Sequence, residues 1–76
     1  MTTFKLRQGK RYRATISLGS VERLASNETI AERLRSRGFS DVRVSGGGSM
    51  RLAEVLWPSE DRTGEVPPQV MDISEF

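Results

Sequence analysis

The sequence has no cysteine and no histidine among its 76 residues. Without cysteine the chain can form neither a disulfide nor a thiolate metal site, and without histidine it lacks the commonest metal ligand and the usual general base at neutral pH. A domain of this length buries only about 60–65% of the surface that its unfolded chain exposes, so many such domains need a disulfide, a metal or a partner subunit. Of these three aids, the composition favours a partner surface.

Long apolar runs are also missing. The longest uninterrupted aliphatic or aromatic run is Val55-Leu56-Trp57, whereas a membrane-spanning helix needs about 20 apolar residues. Residues 1–10 lack the apolar stretch of a secretory signal, and we expect no membrane insertion. A complete chain is expected in the cytoplasm or in an assembled particle. A piece excised from a membrane-anchored protein is expected in the periplasm.

Few residues could support catalysis. A serine or threonine nucleophile would have no histidine as its base. The candidate carboxylate pairs are Glu60 with Asp61, in an expected loop, and Glu28 with Glu32, on an exposed helix face. Residues 45–49, Ser-Gly-Gly-Gly-Ser, lack the Gly-Lys-Ser/Thr ending and the G-x-G-x-x-G spacing of phosphate loops. We therefore expect a protein that is not an enzyme and that uses no metal or cofactor.

Charge is divided unevenly along the chain. Residues 1–51 contain eleven Lys or Arg and four Asp or Glu, a net charge of +7, whereas residues 52–76 contain one Arg and six Asp or Glu, a net charge of −5. A basic part and an acidic tail can attract each other within one chain or between neighbouring chains. The basic part can also bind an anionic partner.

Alternating apolar and polar residues predict four strands. The clearest strand covers residues 10–19, where the apolar side chains fall on one face and the polar ones on the other. Phe4 and Leu6 indicate a shorter first strand, joined to it as an antiparallel hairpin by a turn at Gln8-Gly9. Two more strands, "DVRVS" and "MRLAEVLW", flank the glycines, which form a flexible connection. In the last strand, apolar residues on both sides indicate cover on both faces.

A helix is predicted between the second and third strands. Ser26 or Asn27 can cap its first turn, and Ile30 and Leu34 form its apolar stripe. Gly38 fits the left-handed position after its last turn.

These elements predict an α+β fold in the order β-β-α-β-β. It is a small two-layer sandwich, with one helix packed on three or four mainly antiparallel strands. Residues 1–57 form the compact domain, and residues 58–76 form a proline- and acid-rich loop and an irregular acidic C-terminal tail of the same single domain. The end of this tail is compatible with a late strand, a helical turn or a segment that docks onto a neighbour.

One helix leaves the second face of the sheet uncovered, and we predict that this face binds a partner. The predicted binding residues on the sheet face are Arg11, Arg13, Thr15, Ser17, Arg43, Arg51 and Trp57. The predicted docking tail uses Met71, Ile73 and Phe76. The expected function is that of a protein-interaction or structural subunit of a larger assembly, such as a phage or tail-like particle. Its partner is another protein or further copies of the chain, and nucleic-acid binding through the arginines is an alternative.

A family resemblance adds a further alternative. Over residues 12–45 the chain shows Leu18-Gly19-Ser20 after a strand, a helix with Ala31 and Leu34, then Gly38-Phe39 and a short strand that contains Val42 and Val44. This order resembles the SPOR family of peptidoglycan-binding domains. The resemblance implies binding of glycan strands stripped of stem peptides, through the face of the sheet that carries Arg11, Arg13, Thr15 and Ser17. It also implies a place on membrane-anchored proteins of cell division or wall remodelling.

Overall fold

The computed structural model describes residues 3–67 and 69–76. This part of the chain forms six strands, one α-helix and a short 3₁₀ turn at Glu22–Leu24. The elements are β1 (Thr3–Leu6), β2 (Lys10–Ser17), α1 (Asn27–Ser36), β3 (Ser40–Gly47), β4 (Met50–Trp57), β5 (Arg62–Glu65) and β6 (Val70–Glu75).

The strands form two antiparallel sheets. The larger has the order β3-β4-β2-β6, and β1 pairs with β5 in a separate two-stranded ribbon. Strands β2 and β3 therefore run parallel with β4 between them and α1 as their connection, which is a split β-α-β unit. Strand β5 stands in the connection between β4 and β6. The predicted class, a small α+β fold of two layers, is confirmed.

Helix α1 forms where the sequence predicts it, because both of its ends are capped. The backbone N–H of Thr29 donates to the Ser26 side chain at 3.1 Å. At the other end the N–H groups of Gly38 and Phe39 donate to the carbonyl oxygens of Arg35 and Leu34, in the pattern of a Schellman motif, with Gly38 at φ 102°. In residues 3–67 and 69–76, no helix is both long and apolar enough to cross a membrane.

The core lies on one face of the four-stranded sheet, around Tyr12, Val55 and Trp57. From one side α1 packs along β3, and the Phe39 ring meets Trp57 edge-on at 5.2 Å between ring centroids. From the other side β1 places the Phe4 ring 5.4 Å from that of Tyr12, nearly perpendicular to it. Helix and ribbon thus share the cover of this face.

The predicted hairpin between the first two strands is wrong. Strand β1 pairs with β5, with Thr3 opposite Glu65 and Leu6 opposite Arg62. The reason is that β2 already has β4 on one side and β6 on the other, so no edge of β2 is free for β1. The chain turns at Gly9, which has a φ of 77°, and β1 lies over the core instead.

The prediction of an irregular tail is also wrong. The described part of residues 58–76 contains β5 and β6, and β6 is an edge strand of the main sheet. Its residues pair with β2 from Tyr12 opposite Glu75 to Ile16 opposite Val70, with a bulge between Thr15 and Ile16. The sheet is therefore complete only with the last residues of the chain.

Candidate functional site

The sheet face opposite α1 and the ribbon carries no other element of the described chain, and we call it the open face. Antiparallel pairing aligns its outward residues in rows across β6, β2, β4 and β3. These residues are Arg11, Arg13, Thr15 and Ser17 of β2, Met50, Leu52, Glu54 and Leu56 of β4, Ser40, Asp41, Arg43 and Ser45 of β3, and Asp72, Ser74 and Phe76 at β6.

The central row of the open face is Ser74, Arg13, Glu54, Arg43. The Arg13 guanidinium donates from Nη2 and Nε to one oxygen of Glu54, at 2.9 and 3.1 Å. Glu54 thus lies between Arg13 and Arg43, and its carboxylate accepts hydrogen bonds from Arg13. Such a solvent-exposed pair adds little to stability, but it fixes the position of both charged groups on the face.

A second ion pair lies at the rim. Arg11 Nη1 reaches past Leu56 of β4 and donates to Asp41 Oδ2 on β3 at 2.7 Å. This hydrogen bond, together with the positive charge of Arg11, lowers the pKa of Asp41 below its ordinary value of 3.8. Asp41 lies where the pairing between β3 and β4 shifts register, and its φ is 50°. The bulge turns this carboxylate toward Arg11.

Phe76 covers one corner of the open face. Its backbone N–H donates to the Arg11 carbonyl oxygen at 3.0 Å, which extends the pairing of β6 with β2 by one residue. Its ring centroid lies 4.5 Å from Cζ of Arg13 and 5.9 Å from Cζ of Arg11, within the range of cation–π contacts. Half of the Phe76 surface remains exposed.

Trp57 lies on the opposite face of β4 from the one that was predicted. Trp57, Val55 and Ala53 stand opposite Lys10, Tyr12 and Ala14 of β2, so they share the helix side. Trp57 is 4% exposed, and its indole N–H donates to the Glu60 carbonyl oxygen at 2.7 Å. Trp57 is a core residue, and its assignment to the binding face is wrong. Met50, Leu52 and Leu56 point to the open face instead.

Arg51 is also buried, contrary to the prediction. It is 6% exposed and stands opposite Ile16 on the helix side. Its guanidinium donates to the Asn27 side chain at 2.7 Å and to the backbone oxygens of Arg23 and Gly48 at 2.9 and 3.1 Å. Arg51 thus connects the start of α1, the 3₁₀ turn and the β3–β4 turn, and it is a structural residue.

The predicted tail residues do not form one docking segment. Met71 is 66% exposed and lies at the bulge of β6. Ile73 stands opposite Ala14 and packs against the core cluster, so its assignment to a docking tail is wrong. Phe76 joins the open face. Of the predicted sheet-face residues, the structure brings together Arg11, Arg13, Thr15, Ser17 and Arg43.

The sequence reasoning missed nine residues of the open face: Ser40, Asp41, Ser45, Met50, Leu52, Glu54, Leu56, Asp72 and Ser74. With them the face holds three arginines and three carboxylates, so it is mixed in charge and not basic. If Val55 of β4 is placed in the core beside Tyr12, the alternation of side chains along the strand puts Leu52, Glu54 and Leu56 on the opposite face, so these three residues could have been found. The position of Asp72 depends on the pairing of β6, for which the sequence carried no signal.

The rest of the described surface offers little for chemistry. Shallow grooves of about 460 and 440 Å³ lie between β1 and β6 and beside Trp57. The second groove contains Ser59 next to Glu60 and Asp61, but no side-chain hydrogen bond joins Ser59 to either carboxylate within the described residues. Within residues 3–67 and 69–76, no three acidic side chains come together as metal ligands would.

Comparisons with known proteins identified no relative of this chain. No family model, no curated protein and no solved structure matches the chain. The SPOR-like order of residues 12–45 therefore remains an expectation, and any function has to be inferred from the geometry and chemistry of the chain itself.

Proposed function

We propose that this chain is a non-enzymatic interaction subunit that binds a protein partner through the open face and acts as part of a larger assembly. The observation that carries the proposal is the composition of β4. Three of its four outward positions are the apolar residues Met50, Leu52 and Leu56, while three of its four inward positions belong to the core. Strands that are apolar on both sides are typical of sheets covered on both faces. The chain covers one of them, and a partner would cover the other.

The surroundings of this apolar stripe support a protein partner. Leu52 and Leu56 lie on either side of the central row, with the Arg13–Glu54 pair between them and the Arg11–Asp41 pair beside Leu56. Protein interfaces combine apolar contacts with hydrogen-bonded polar groups in this way. A partner would also supply stability to a domain of this size, which has no disulfide.

A matched pair of substitutions tests the proposal. Leu52→Glu places a charge on the apolar stripe of the open face, and Leu24→Glu places the same charge on the 3₁₀ turn, where Leu24 is 80% exposed. Wild type and both variants, tagged and expressed in cells of the natural source, would be cross-linked, purified and analysed by mass spectrometry. We expect wild type and Leu24→Glu to retain the same cross-linked partners and Leu52→Glu to lose them, with equal melting temperatures. Partners that survive Leu52→Glu would contradict the proposal.

Two other ligand classes are tested with the same proteins. Co-sedimentation with amidase-treated peptidoglycan tests glycan binding, and a gel shift that weakens steeply with salt tests nucleic-acid binding. We place a protein partner first because Arg11 and Arg13 already pair with carboxylates and Trp57 is not on the face to stack on a sugar or a base. Binding of either polymer that Leu52→Glu abolishes would reverse this order.

A further inference from the structure

We propose that this chain associates head to tail with further copies of itself, by pairing the free edge of β6 with the free edge of β3 on the next copy. This inference goes beyond the proposed function, because it uses the two edges of the main sheet and not the open face. Within the described residues, no strand pairs with the outer side of β3 or of β6. Both edges therefore present backbone N–H and C=O groups that another strand can bind.

Hydrogen-bond alternation identifies the groups that the edge of β6 presents. The Phe76 N–H donates to the Arg11 carbonyl oxygen, so the alternate residues Ser74 and Asp72 also direct their backbone groups toward β2. The backbone groups of Ile73, which lies between them, therefore point away from the sheet.

The same alternation applies to the edge of β3. The Leu18 N–H donates to the Ser49 carbonyl oxygen, and alternation from this pair turns the backbone groups of Glu54 away from β2 and toward β3. Glu54 stands opposite Arg43. The backbone groups of Val44, the next residue, therefore point away from the sheet.

Val44 of one copy matches Ile73 of the next in strand direction and in chemistry. In the order β3-β4-β2-β6 the outer strands run antiparallel to each other, so copies in the same orientation join as one continuous antiparallel sheet. Both residues lie beyond the bulge of their strand, where the pairing is regular. Both side chains are half-buried on the helix side, where Ile73 lines the groove beside β6, so the pair would extend the core across the junction.

The charges of the two edges are complementary in this register. Arg43 would stand opposite Ser74 and diagonally across from Asp72, a position within reach of a long side chain. Arg43 and Asp72 are exposed, and no ion pair joins either of them to the described chain. The carboxylate beside Arg43, that of Glu54, accepts its hydrogen bonds from Arg13. Arg43 and Asp72 can therefore pair with each other across the junction.

Pairing of like edges is less favourable. Two β6 edges joined at Ile73 would place Asp72 diagonally across from Asp72 of the other copy, and two β3 edges joined at Val44 would do the same with Arg43. Like charges at a contact are unfavourable, so the pattern selects β6 with β3. A contact between two different edges repeats from copy to copy and gives a ring or a helical filament. We therefore expect reversible oligomers that grow with protein concentration.

Sedimentation velocity of the chain alone, over a concentration series, tests this association. Arg43→Glu and Asp72→Lys each place like charges across the junction and should raise the apparent dissociation constant about tenfold. A chain that carries both substitutions pairs opposite charges again and should associate as wild type does. Arg7→Glu and Glu60→Lys make the same charge changes in exposed loops away from both edges and should have no effect. Thermal unfolding followed by circular dichroism checks that every variant is folded.

Amide hydrogen exchange of the wild type gives a second measurement. The amides of Val44 and Ile73 should exchange more slowly at concentrations where oligomers form, whereas exchange in the loop between β4 and β5 should not change. A wild type that stays monomeric, single reversals that associate normally, a double variant that does not recover, or unchanged exchange at both amides would each overturn the inference.

The proposed function is tested separately. Leu52→Glu changes the open face and should leave this self-association intact, so copies of the chain that remain cross-linked in that variant belong to the edges and not to the open face. A monomeric wild type whose cross-linked partner is another protein, lost in Leu52→Glu, refutes self-association alone. Oligomers of the expected kind, with another protein partner that survives Leu52→Glu, refute the proposed function alone.

Discussion

Arg51 shows how one side chain connects parts of the fold that are distant in sequence. Its guanidinium donates to the Asn27 side chain and to the carbonyl oxygens of Arg23 and Gly48, and Asn27 in turn donates to the Gly46 carbonyl oxygen. The three hydrogen bonds of the guanidinium are partly buried, so its removal would leave these acceptors without their protein donor. We therefore expect a substitution of Arg51 to have a large effect on stability, although this residue was predicted to lie on the surface.

We therefore predict that Arg51→Met lowers the free energy of unfolding by about 2–4 kcal/mol, because charge-assisted hydrogen bonds contribute about 1.5–3 kcal/mol each and the methionine retains part of the packing. Urea unfolding followed by circular dichroism measures the change. Arg33→Met, on the exposed surface of α1, is the control and should stay within about 0.5 kcal/mol of wild type. Equal effects of the two substitutions would show that the Arg51 contacts are unimportant.

Asp41 gives a pH-dependent prediction at the same scale. Because its pKa is lower in the folded state, the folded chain binds fewer protons than the unfolded chain. The Arg11–Asp41 pair thus stabilises the fold fully above the ordinary pKa of 3.8, and this contribution disappears as the pH falls through the lowered value. Carboxyl NMR titration should show that Arg11→Gln raises the pKa of Asp41, whereas Arg7→Gln does not. An unchanged pKa in Arg11→Gln would contradict the contact.

At the scale of elements, the β3–β4 hairpin depends on particular glycines. Gly46 has a φ of 94°, and a Cβ atom there would lie 2.8 Å from the Met50 carbonyl oxygen. Gly47 has neither constraint, since no atom lies within 4 Å of the corresponding position. The stretch of three glycines therefore contains one position that tolerates a side chain and one that does not.

We expect Gly46→Ala to destabilise the protein by about 1–3 kcal/mol through backbone strain. Gly47→Ala should be neutral or stabilise by up to about 1 kcal/mol, because alanine restricts the unfolded chain. Melting temperatures of the two variants test the difference directly. If both substitutions have the same effect, the left-handed conformation of Gly46 does not matter for stability.

Elements determined by contacts between residues close in sequence could be predicted, whereas elements determined by pairing with distant residues could not. Helix α1 was predictable because Ser26, Leu34 and Gly38 act within a few residues of one another. The faces of β4 were not, because both sides of that strand are apolar and only its pairing with β2 puts Trp57 inside. The positions of β1 and β6 depend on partners more than 50 residues away in sequence, and local alternation contains no information about such pairings.

At the scale of the whole molecule, β6 is the element that completes the sheet. It places Ile73 in the core and Phe76 on the open face, and without it β2 would become an edge strand with unpaired backbone groups. We predict that a chain ending at residue 69 loses cooperative folding, as seen in a poorly dispersed amide NMR spectrum.

A chain ending at residue 75 is the control for β6, because it lacks only the Phe76 contacts with Arg11 and Arg13. It should fold and lose about 1 kcal/mol, the size of a partly exposed cation–π contact together with one backbone hydrogen bond. Cooperative unfolding of the shorter chain would mean that β6 is dispensable, as an irregular tail would be.

The pairing of β1 with β5 has a consequence for how the chain acquires its structure during synthesis. Thr3 pairs with Glu65, so β1 waits until the ribosome has made β5 before it finds its partner. Phe4 and Leu6 stay uncovered over that interval, when chaperones or other nascent chains can bind them. Contacts so distant in sequence also slow folding. Stopped-flow refolding should therefore occur in milliseconds to seconds, and pairing of β1 with β5 within the dead time of mixing would contradict this order of events.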